Sequence, residues 1–150
     1  MKRLINLIST FRMKQALPGI IRIGYVECQL LPDDIMLRAL SGTPIGIYTT
    51  ITDVCFIGDA TCDTEVSIDN NSQVEKATLT FRTLDELPIA KHLAFVIFTI
   101  QGDIYIIGTK ELPYPTVKIT STTGTPDGEP SVRKYEVSLA IKKSLALCAV

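Results

Sequence analysis

Residues 93 to 115 constrain the fold of this chain more than any other stretch. Thr99 is the one polar residue in an apolar run from 93 to 100, and a second apolar run spans 104 to 107. Both runs are rich in β-branched and aromatic residues, and Gln101-Gly102 lies between them. This pattern predicts two antiparallel strands joined by a tight turn.

The first of these two strands is apolar on both faces. One face carries Phe95, Ile97 and Thr99, and the other carries Ala94, Val96, Phe98 and Ile100. A strand with one face in water carries polar residues on that face. Neither face of this strand is polar, so both faces need to be covered by other parts of the protein. The second face could be covered by loops of an opposite sheet, by an N-terminal helix or by another subunit. The identity of that cover distinguishes a monomeric module from an assembly.

Three other segments alternate between apolar and polar residues, at 62–68, 75–83 and 133–142. A period of two residues is typical of a strand with one buried and one solvated face. The sequence Asp-Asn-Asn-Ser at 69–72 predicts a turn that joins the first two segments into a second hairpin.

The segments before residue 54 are less regular. Residues 20–31 predict a strand with a bulge near Gly24. Asp34 is placed to begin a short helical turn that ends by Leu40. Residues 45–52 predict a weaker strand or an extended loop.

Short signals elsewhere mark connections. The Gly-Asp pair at 58–59 predicts a turn after the apolar residues 54–57. Residues 83–86 have the spacing of a capping box, but Pro88 follows too soon for a helix, so we expect a single helical turn or a loop. Pro-Tyr-Pro at 113–115 predicts a strand edge or a crossing between sheets, because proline donates no hydrogen bond to a β ladder.

Composition places the chain among single-domain proteins. Its 150 residues can bury about two-thirds of the surface of the unfolded chain in one core. Fifteen basic residues balance sixteen acidic ones, giving a net charge of -1, so no broad attraction to nucleic acid or to anionic membranes is expected. Neither a secretion signal nor a membrane-spanning stretch is recognisable.

Signatures of catalysis, cofactor binding and metal binding are missing from the sequence. The four cysteines form no Cys-x-x-Cys pair, and His92 is the one histidine. We therefore expect no metal, no cofactor and no enzyme activity, with His92 packed or hydrogen-bonded and the cysteines acting as small buried residues in a reducing compartment. The cysteines are Cys28, Cys55, Cys62 and Cys148.

The strand pattern predicts an all-β, mainly antiparallel fold. About seven short strands at a spacing of roughly 8–12 residues favour a β-sandwich or a partly open barrel. We expect one domain over 1–150, with a β core at 20–119 and 132–143, a helical arm at 1–18, a mobile loop at 120–131 and an apolar tail at 144–150.

The three segments outside the β core are the expected contact regions. In the arm, apolar residues recur at helical spacing, so the arm could pack on its own domain or dock on a neighbouring subunit. The loop turns at Pro-Asp-Gly, and the tail is apolar. The candidate interaction residues are Leu4, Ile8, Phe11, Pro126, Asp127, Leu145 and Leu147.

Several short sequences in the second half of the chain carry a resemblance. They are Glu-Lys-Ala-Thr-Leu-Thr-Phe at 75–81, Leu-Ala-Phe at 93–95, Gly102 with Tyr-Ile-Ile-Gly at 105–108, Pro-Tyr-Pro at 113–115 and Tyr-Glu-Val-Ser-Leu at 135–139. Together they resemble the small β-rich virion proteins of tailed bacteriophages and prophages, over about residues 54–148. In that class, copies form rings at the neck or along the tail.

The resemblance implies a structural protein that assembles with copies of itself and with other virion proteins. It implies a homo-oligomer made in the host cytoplasm and located in the virion, at a head–tail connector or a tail ring. Membrane contact is not implied, and nucleic acid would be met at most on a surface lining the lumen. The alternative is a monomeric β-sandwich that binds a ligand or a partner; a hydrolase is disfavoured because His92 has no triad-like partner.

Overall fold

The computed structural model describes residues 19–47, 49–121 and 132–149. These residues form ten β-strands, one α-helix and one 3₁₀ turn. In chain order they are β1 (Ile20–Glu27), the 3₁₀ turn (Cys28–Leu30), α1 (Ile35–Ser41), β2 (Ile45–Gly46), β3 (Thr52–Val54), β4 (Phe56–Asp69), β5 (Ser72–Thr83), β6 (Leu93–Thr99), β7 (Ile104–Ile107), β8 (Thr116–Ser121), β9 (Arg133–Ile141) and β10 (Leu145–Ala149).

The strands form two sheets. One has six strands in the order β2-β10-β7-β6-β1-β3, and the other has four in the order β4-β5-β9-β8. All pairs are antiparallel except β2 with β10. The prediction of a mainly antiparallel β protein is thus confirmed, and in the described part of the chain the sheets do not close into a barrel.

The main core lies where the two sheets meet. Phe81 of β5 stacks on Tyr135 of β9, with ring centroids 5.4 Å apart, and is tilted against Phe95 of β6 at 6.1 Å. Burying such large apolar side chains supplies most of the driving force for folding. The fully buried residues of this core include Ile23, Ala77, Leu79, Phe81, Phe95, Ile97, Ile107, Tyr135 and Val137.

The second face of β6 is covered by the chain's own segment between β1 and β3. Ala94 and Val96 are fully buried in a second core with residues of the 3₁₀ turn, α1 and β2. The buried residues of this segment are Cys28, Leu31, Ile35, Ala39, Ile45 and Ile47. None of the three covers considered from the sequence is the one observed. α1 is only seven residues long, which is too short to show a clear helical period.

Both predicted hairpins are confirmed. β6 and β7 pair in register, and Gly102 between them has a φ of +92°. β4 and β5 pair from Asp69 and Ser72 inward, and Asn70 and Asn71 in their turn have φ values of 47° and 65°. Asparagine tolerates this left-handed region better than most residues, which suits it to a tight turn.

Two local predictions in the first half of the chain are wrong. Gly58 and Asp59 form no turn: β4 runs through them, and a register shift between Ile57 and Thr61 marks a bulge at Gly58, whose φ is +70°. The irregularity in β1 lies between Ile20 and Arg22 and not near Gly24. Gly24 instead leaves room for a neighbour, because a Cβ there would overlap the side chain of Ile51.

Helix signals around Asp34 and Thr83 lead to different outcomes. α1 begins after Asp34 and ends at Gly42 (φ +76°), yet the Asp34 carboxylate accepts a hydrogen bond from the Arg38 side chain at 2.6 Å and does not cap the helix. Residues 84–86 form no helix. The Thr83 hydroxyl accepts from the Asp85 amide at 3.0 Å and donates to the Cys55 carbonyl at 2.6 Å, holding a loop.

The C-terminal segment is part of a sheet. Where the sequence suggests an apolar tail at 144–150, residues 145–149 form β10, paired with β7 on one side and β2 on the other. Its apolar character reflects two covered faces, since Leu145 joins the main core and Ala146 joins the second core. Residues 113–115 do cross from one sheet to the other, between β7 and β8.

Candidate interaction surface

The two sheets differ in how their edges end. The six-stranded sheet ends on β2 and β3, which are two and three residues long. The four-stranded sheet ends on β4, with fourteen residues, and β8, with six. Short edge strands discourage pairing with another chain, whereas a long edge offers a row of unpaired backbone donors and acceptors. In the described part of the chain, no strand pairs with the outer side of β4 or β8; we call these two sides the open edges.

The β4 edge is acidic. Its strand contains four acidic residues and no basic one, and two of them, Asp63 and Glu65, are exposed on the face away from the main core. Glu65 stands opposite Lys76 of β5, while Asp63 stands opposite Thr78. Asp63 therefore has no charged residue opposite it on β5.

The β8 edge has complementary features. Lys118 is exposed on the face away from the core, opposite Glu136 of β9. On the other face, Val117 and Ile119 are half-buried and pack against the main core. The edge therefore presents a basic side chain on one face and a partly open apolar row on the other.

The β4–β5 hairpin extends beyond the rest of its sheet. β9 follows β5 only as far as the pair of Glu75 with Ile141, so residues 67–74 form a two-stranded ribbon, and Val66, paired with Glu75, lies at its base. Val66 and Ile68 continue the core-facing side of β4, yet 52% and 74% of their surface is exposed. A ribbon with open apolar side chains on its core-facing side is a candidate contact site.

The predicted interaction residues are only partly within the described chain. Leu145 is buried in the main core, and Leu147 on the same strand remains 41% exposed. Leu4, Ile8, Phe11, Pro126 and Asp127 lie outside the described residues. The structure thus brings Leu145 and Leu147 into β10 and leaves the other five untested.

His92 is exposed, and its only described packing contact is a ring stack. Its ring stacks on Tyr114 with centroids 4.0 Å apart and an interplanar angle of 14°. The two rings border a crevice of about 270 Å³ that is also lined by Glu27 and Lys91. Lys91 binds Glu27 at 2.9 Å, and its hydrogen bond lowers the pKa of the Glu27 carboxyl while raising the pKa of the Lys91 amine.

Three of the four cysteines are buried free thiols. Burial raises the pKa of Cys28 to about 11, of Cys62 to about 12 and of Cys148 to about 11. These thiols are therefore protonated at neutral pH and are poor nucleophiles. Cys55 is exposed. Among the residues that the structure describes, no three His, Cys, Asp or Glu side chains are grouped to hold a metal ion.

Sequence reasoning missed the open edges and the ribbon. Reading Gly58-Asp59 as a turn divided β4 and hid its length. The alternation at 62–68 predicts a buried row of Cys62, Thr64, Val66 and Ile68, but only Cys62 of that row is buried. The acidic residues of β4 were the available signal for the β4 edge. A strand that has acidic residues and no basic ones avoids pairing with a copy of itself, because like charges placed opposite each other destabilise the ladder.

Comparisons with family models, curated proteins and solved structures give no match to the chain. In the described part of the chain, no helix is both long and apolar enough to cross a membrane.

Proposed function

We propose that this protein is a structural subunit that assembles with copies of itself through the open edges of its four-stranded sheet. The observation that carries the proposal is the difference between the two sheets, because the edges of one are two and three residues long and those of the other are six and fourteen. The two-sided strand β6 no longer supports assembly, since the chain covers both of its faces.

Charge favours pairing of unlike edges. Two β4 edges side by side would bring Asp63 and Glu65 of one copy against the same residues of the other, and like charges opposite each other destabilise a ladder. Pairing of β4 with β8 of the next copy instead sets these acids beside Lys118. It also sets the apolar face of β4 beside Val117 and Ile119.

A contact between unlike surfaces is heterologous. Repeated from copy to copy, it generates a ring when the rotation closes and a filament when it does not. Together with the resemblance of residues 54–148 to phage virion proteins, this favours a subunit of a phage virion, built as a β-sandwich and forming a ring at the head–tail neck or the tail. Its partners in this proposal are its own copies and other virion proteins.

The experiment that tests the assembly is a charge swap. Asp63→Lys and Lys118→Glu should each weaken self-association, and the double variant should restore it, because the swapped charges again attract across the contact. Lys134→Glu makes the same charge change on β9, which is not an edge strand, and serves as the matched control. Sedimentation velocity gives the mass of each variant, and equal masses for all four would contradict the proposal.

A second function is favoured by the crevice beside His92. The stacked rings of His92 and Tyr114 next to the Glu27–Lys91 ion pair could hold a small polar ligand in a monomeric binding module. A wild-type protein that stays monomeric, together with ligand-dependent chemical shifts at His92, would favour this function over assembly.

A further inference from the structure

We propose that the groove between the end of α1, the β4–β5 turn and the β9–β10 turn binds a phosphate monoester. This inference goes beyond the proposed self-association and does not depend on it. The groove has a volume of about 420 Å³, which lies within the range of small-molecule sites. Its walls are formed by Leu40, Asn71, Ser72, Gln73, Lys142 and Lys143.

Two lysines and no acidic residue line the groove. Lys142 is exposed and forms no ion pair with any residue that the structure describes. Lys143 lies 3.4 Å from one oxygen of the Glu75 carboxylate. The other oxygen of that carboxylate accepts hydrogen bonds from the amides of Ser144 and Leu145, at 3.1 Å and 2.9 Å. Glu75 therefore offsets the charge of Lys143, and the charge of Lys142 is left to attract an anion.

Three neutral polar residues on the facing hairpin can donate hydrogen bonds to the same anion. Asn71 and Gln73 carry side-chain amides, and Ser72 carries a hydroxyl. All three are exposed, and their side chains form no hydrogen bond with the described part of the chain. Donors on the hairpin and on the β9–β10 turn thus face one groove. A phosphate group suits this arrangement, because its charge and its several acceptor oxygens can engage both sides at once.

The end of α1 is compatible with a bound anion. Unpaired carbonyls at the C-terminus of a helix carry a partial negative charge. In α1 the Ala39 carbonyl accepts from the Gly42 amide at 3.3 Å, and the Arg38 carbonyl accepts from the Thr43 amide at 2.9 Å. These carbonyls are satisfied, and the side chain that α1 contributes to the groove is the apolar Leu40.

Leu40 favours an ester over the free phosphate ion. Its side chain forms one wall of the groove and is 53% exposed. With the phosphate group held by the lysines and the hairpin, an apolar group on the ester oxygen can lie against Leu40 and remove it from water. The free ion would leave Leu40 exposed, so we expect it to bind more weakly.

The test is a ³¹P NMR titration of the full-length protein with benzyl phosphate and with inorganic phosphate. We expect saturable binding of both, with benzyl phosphate at least about threefold tighter because of its apolar ring. Raising the salt concentration should weaken both, since the contact is between exposed charges. The signal is observed on the ligand, so the measurement is the same for single copies and for assemblies.

Variants locate the site. Lys142→Gln should weaken the binding of benzyl phosphate at least about fivefold, whereas Lys142→Arg keeps the charge and should retain most of the affinity. Lys134→Gln, at the other end of β9, is the matched control and should leave the affinity unchanged. Leu40→Ser should weaken benzyl phosphate and leave inorganic phosphate unaffected. Circular dichroism verifies that each variant is folded.

Three results would overturn the inference. The first is the absence of saturable binding, and the second is an equal affinity for Lys142→Gln and Lys134→Gln. The third is an equal affinity for the two ligands that Leu40→Ser does not change, which would identify the free ion as the ligand. None of these results bears on self-association, which the charge-swap variants test separately.

Discussion

Glu75 and Ser144 join the two sheets at one end of the molecule. The Glu75 carboxylate oxygen Oε1 accepts hydrogen bonds from the backbone amides of Ser144 at 3.1 Å and Leu145 at 2.9 Å. The Ser144 hydroxyl donates to the Glu75 carbonyl and accepts from the Ile141 amide at 3.0 Å. Because β9 and β10 belong to different sheets, these contacts fix the crossover between them.

Replacing Glu75 should therefore destabilise the fold. Both residues are buried, so Glu75→Ala would leave two backbone donors without a partner, at a cost of about 2–4 kcal/mol. Glu75→Gln retains an acceptor oxygen and should cost less than half of that. Urea unfolding followed by circular dichroism measures both, and equal losses for the two variants would show that the charge, and not the acceptor, matters.

The segment that covers the second face of β6 gives a second prediction, which compares two neighbouring leucines. Leu31 is buried in the second core with Ala94 and Val96, whereas Leu30 is 49% exposed. Leu31→Ala should lower the free energy of unfolding by about 2–5 kcal/mol, because it opens a cavity in that core. Leu30→Ala is the matched control and should change it by less than about 1 kcal/mol. Similar effects for both in thermal unfolding would contradict the observed cover.

Gly108 and Gly42 should respond differently to alanine. Both have positive φ, but a Cβ on Gly108 would lie 2.5 Å from the Cβ and 2.9 Å from the Cα of Ala94 on β6. A Cβ on Gly42 meets nothing within 4 Å. Gly42→Ala should cost about 1 kcal/mol for its backbone conformation alone, and Gly108→Ala at least about twice that. Equal melting temperatures for the two variants would argue against close contact of Gly108 with β6.

Alkaline pH should destabilise the protein through Cys62. Its pKa rises from 9.0 to about 12 on folding, because burial disfavours the thiolate. The thiol ionises above pH 9 in the unfolded chain but stays protonated in the folded one, so its contribution is complete below pH 9 and is lost between pH 9 and 12. The slope approaches about 1.4 kcal/mol per pH unit.

Two variants isolate this contribution. The stability difference between wild type and Cys62→Ala should shrink as the pH rises from 8 to 11, because the variant lacks the thiol. Leu79→Ala, opposite Cys62 on β5, removes apolar volume without a titrating group, and its difference should stay constant. Denaturant titrations at each pH provide the comparison, and parallel curves for Cys62→Ala and wild type would contradict the prediction.

Much of the strand pattern could be predicted from the sequence, because two-residue alternation records which face is buried. The hairpins β4–β5 and β6–β7 follow from this alternation and from turns at Asn70-Asn71 and Gly102. The cover over β6 could not be predicted, since α1 is too short to show a period. The buried position of Glu75 could have been predicted, because this charged residue lies in the same inward phase of β5 as Ala77 and Leu79.

The candidate surface was less predictable than the strands. Alternation indicates which face of a strand is buried, but it does not show how far the opposite sheet extends, because that depends on tertiary packing. Val66 and Ile68 are therefore exposed although they lie on the same face of β4 as the buried Cys62. Edge position likewise depends on the order of strands in the sheet, which local sequence does not specify. The acidic residues of β4 are visible in the sequence, yet their meaning depends on that order.

The mass of the full-length wild-type protein in solution tests the central claim most directly. The chain has a mass of 16.5 kDa. Native mass spectrometry between about 1 and 100 µM should give multiples of this mass that grow with concentration, reach a single closed number of copies and decrease for Lys118→Glu. A single 16.5 kDa species over the whole range would contradict assembly through the open edges.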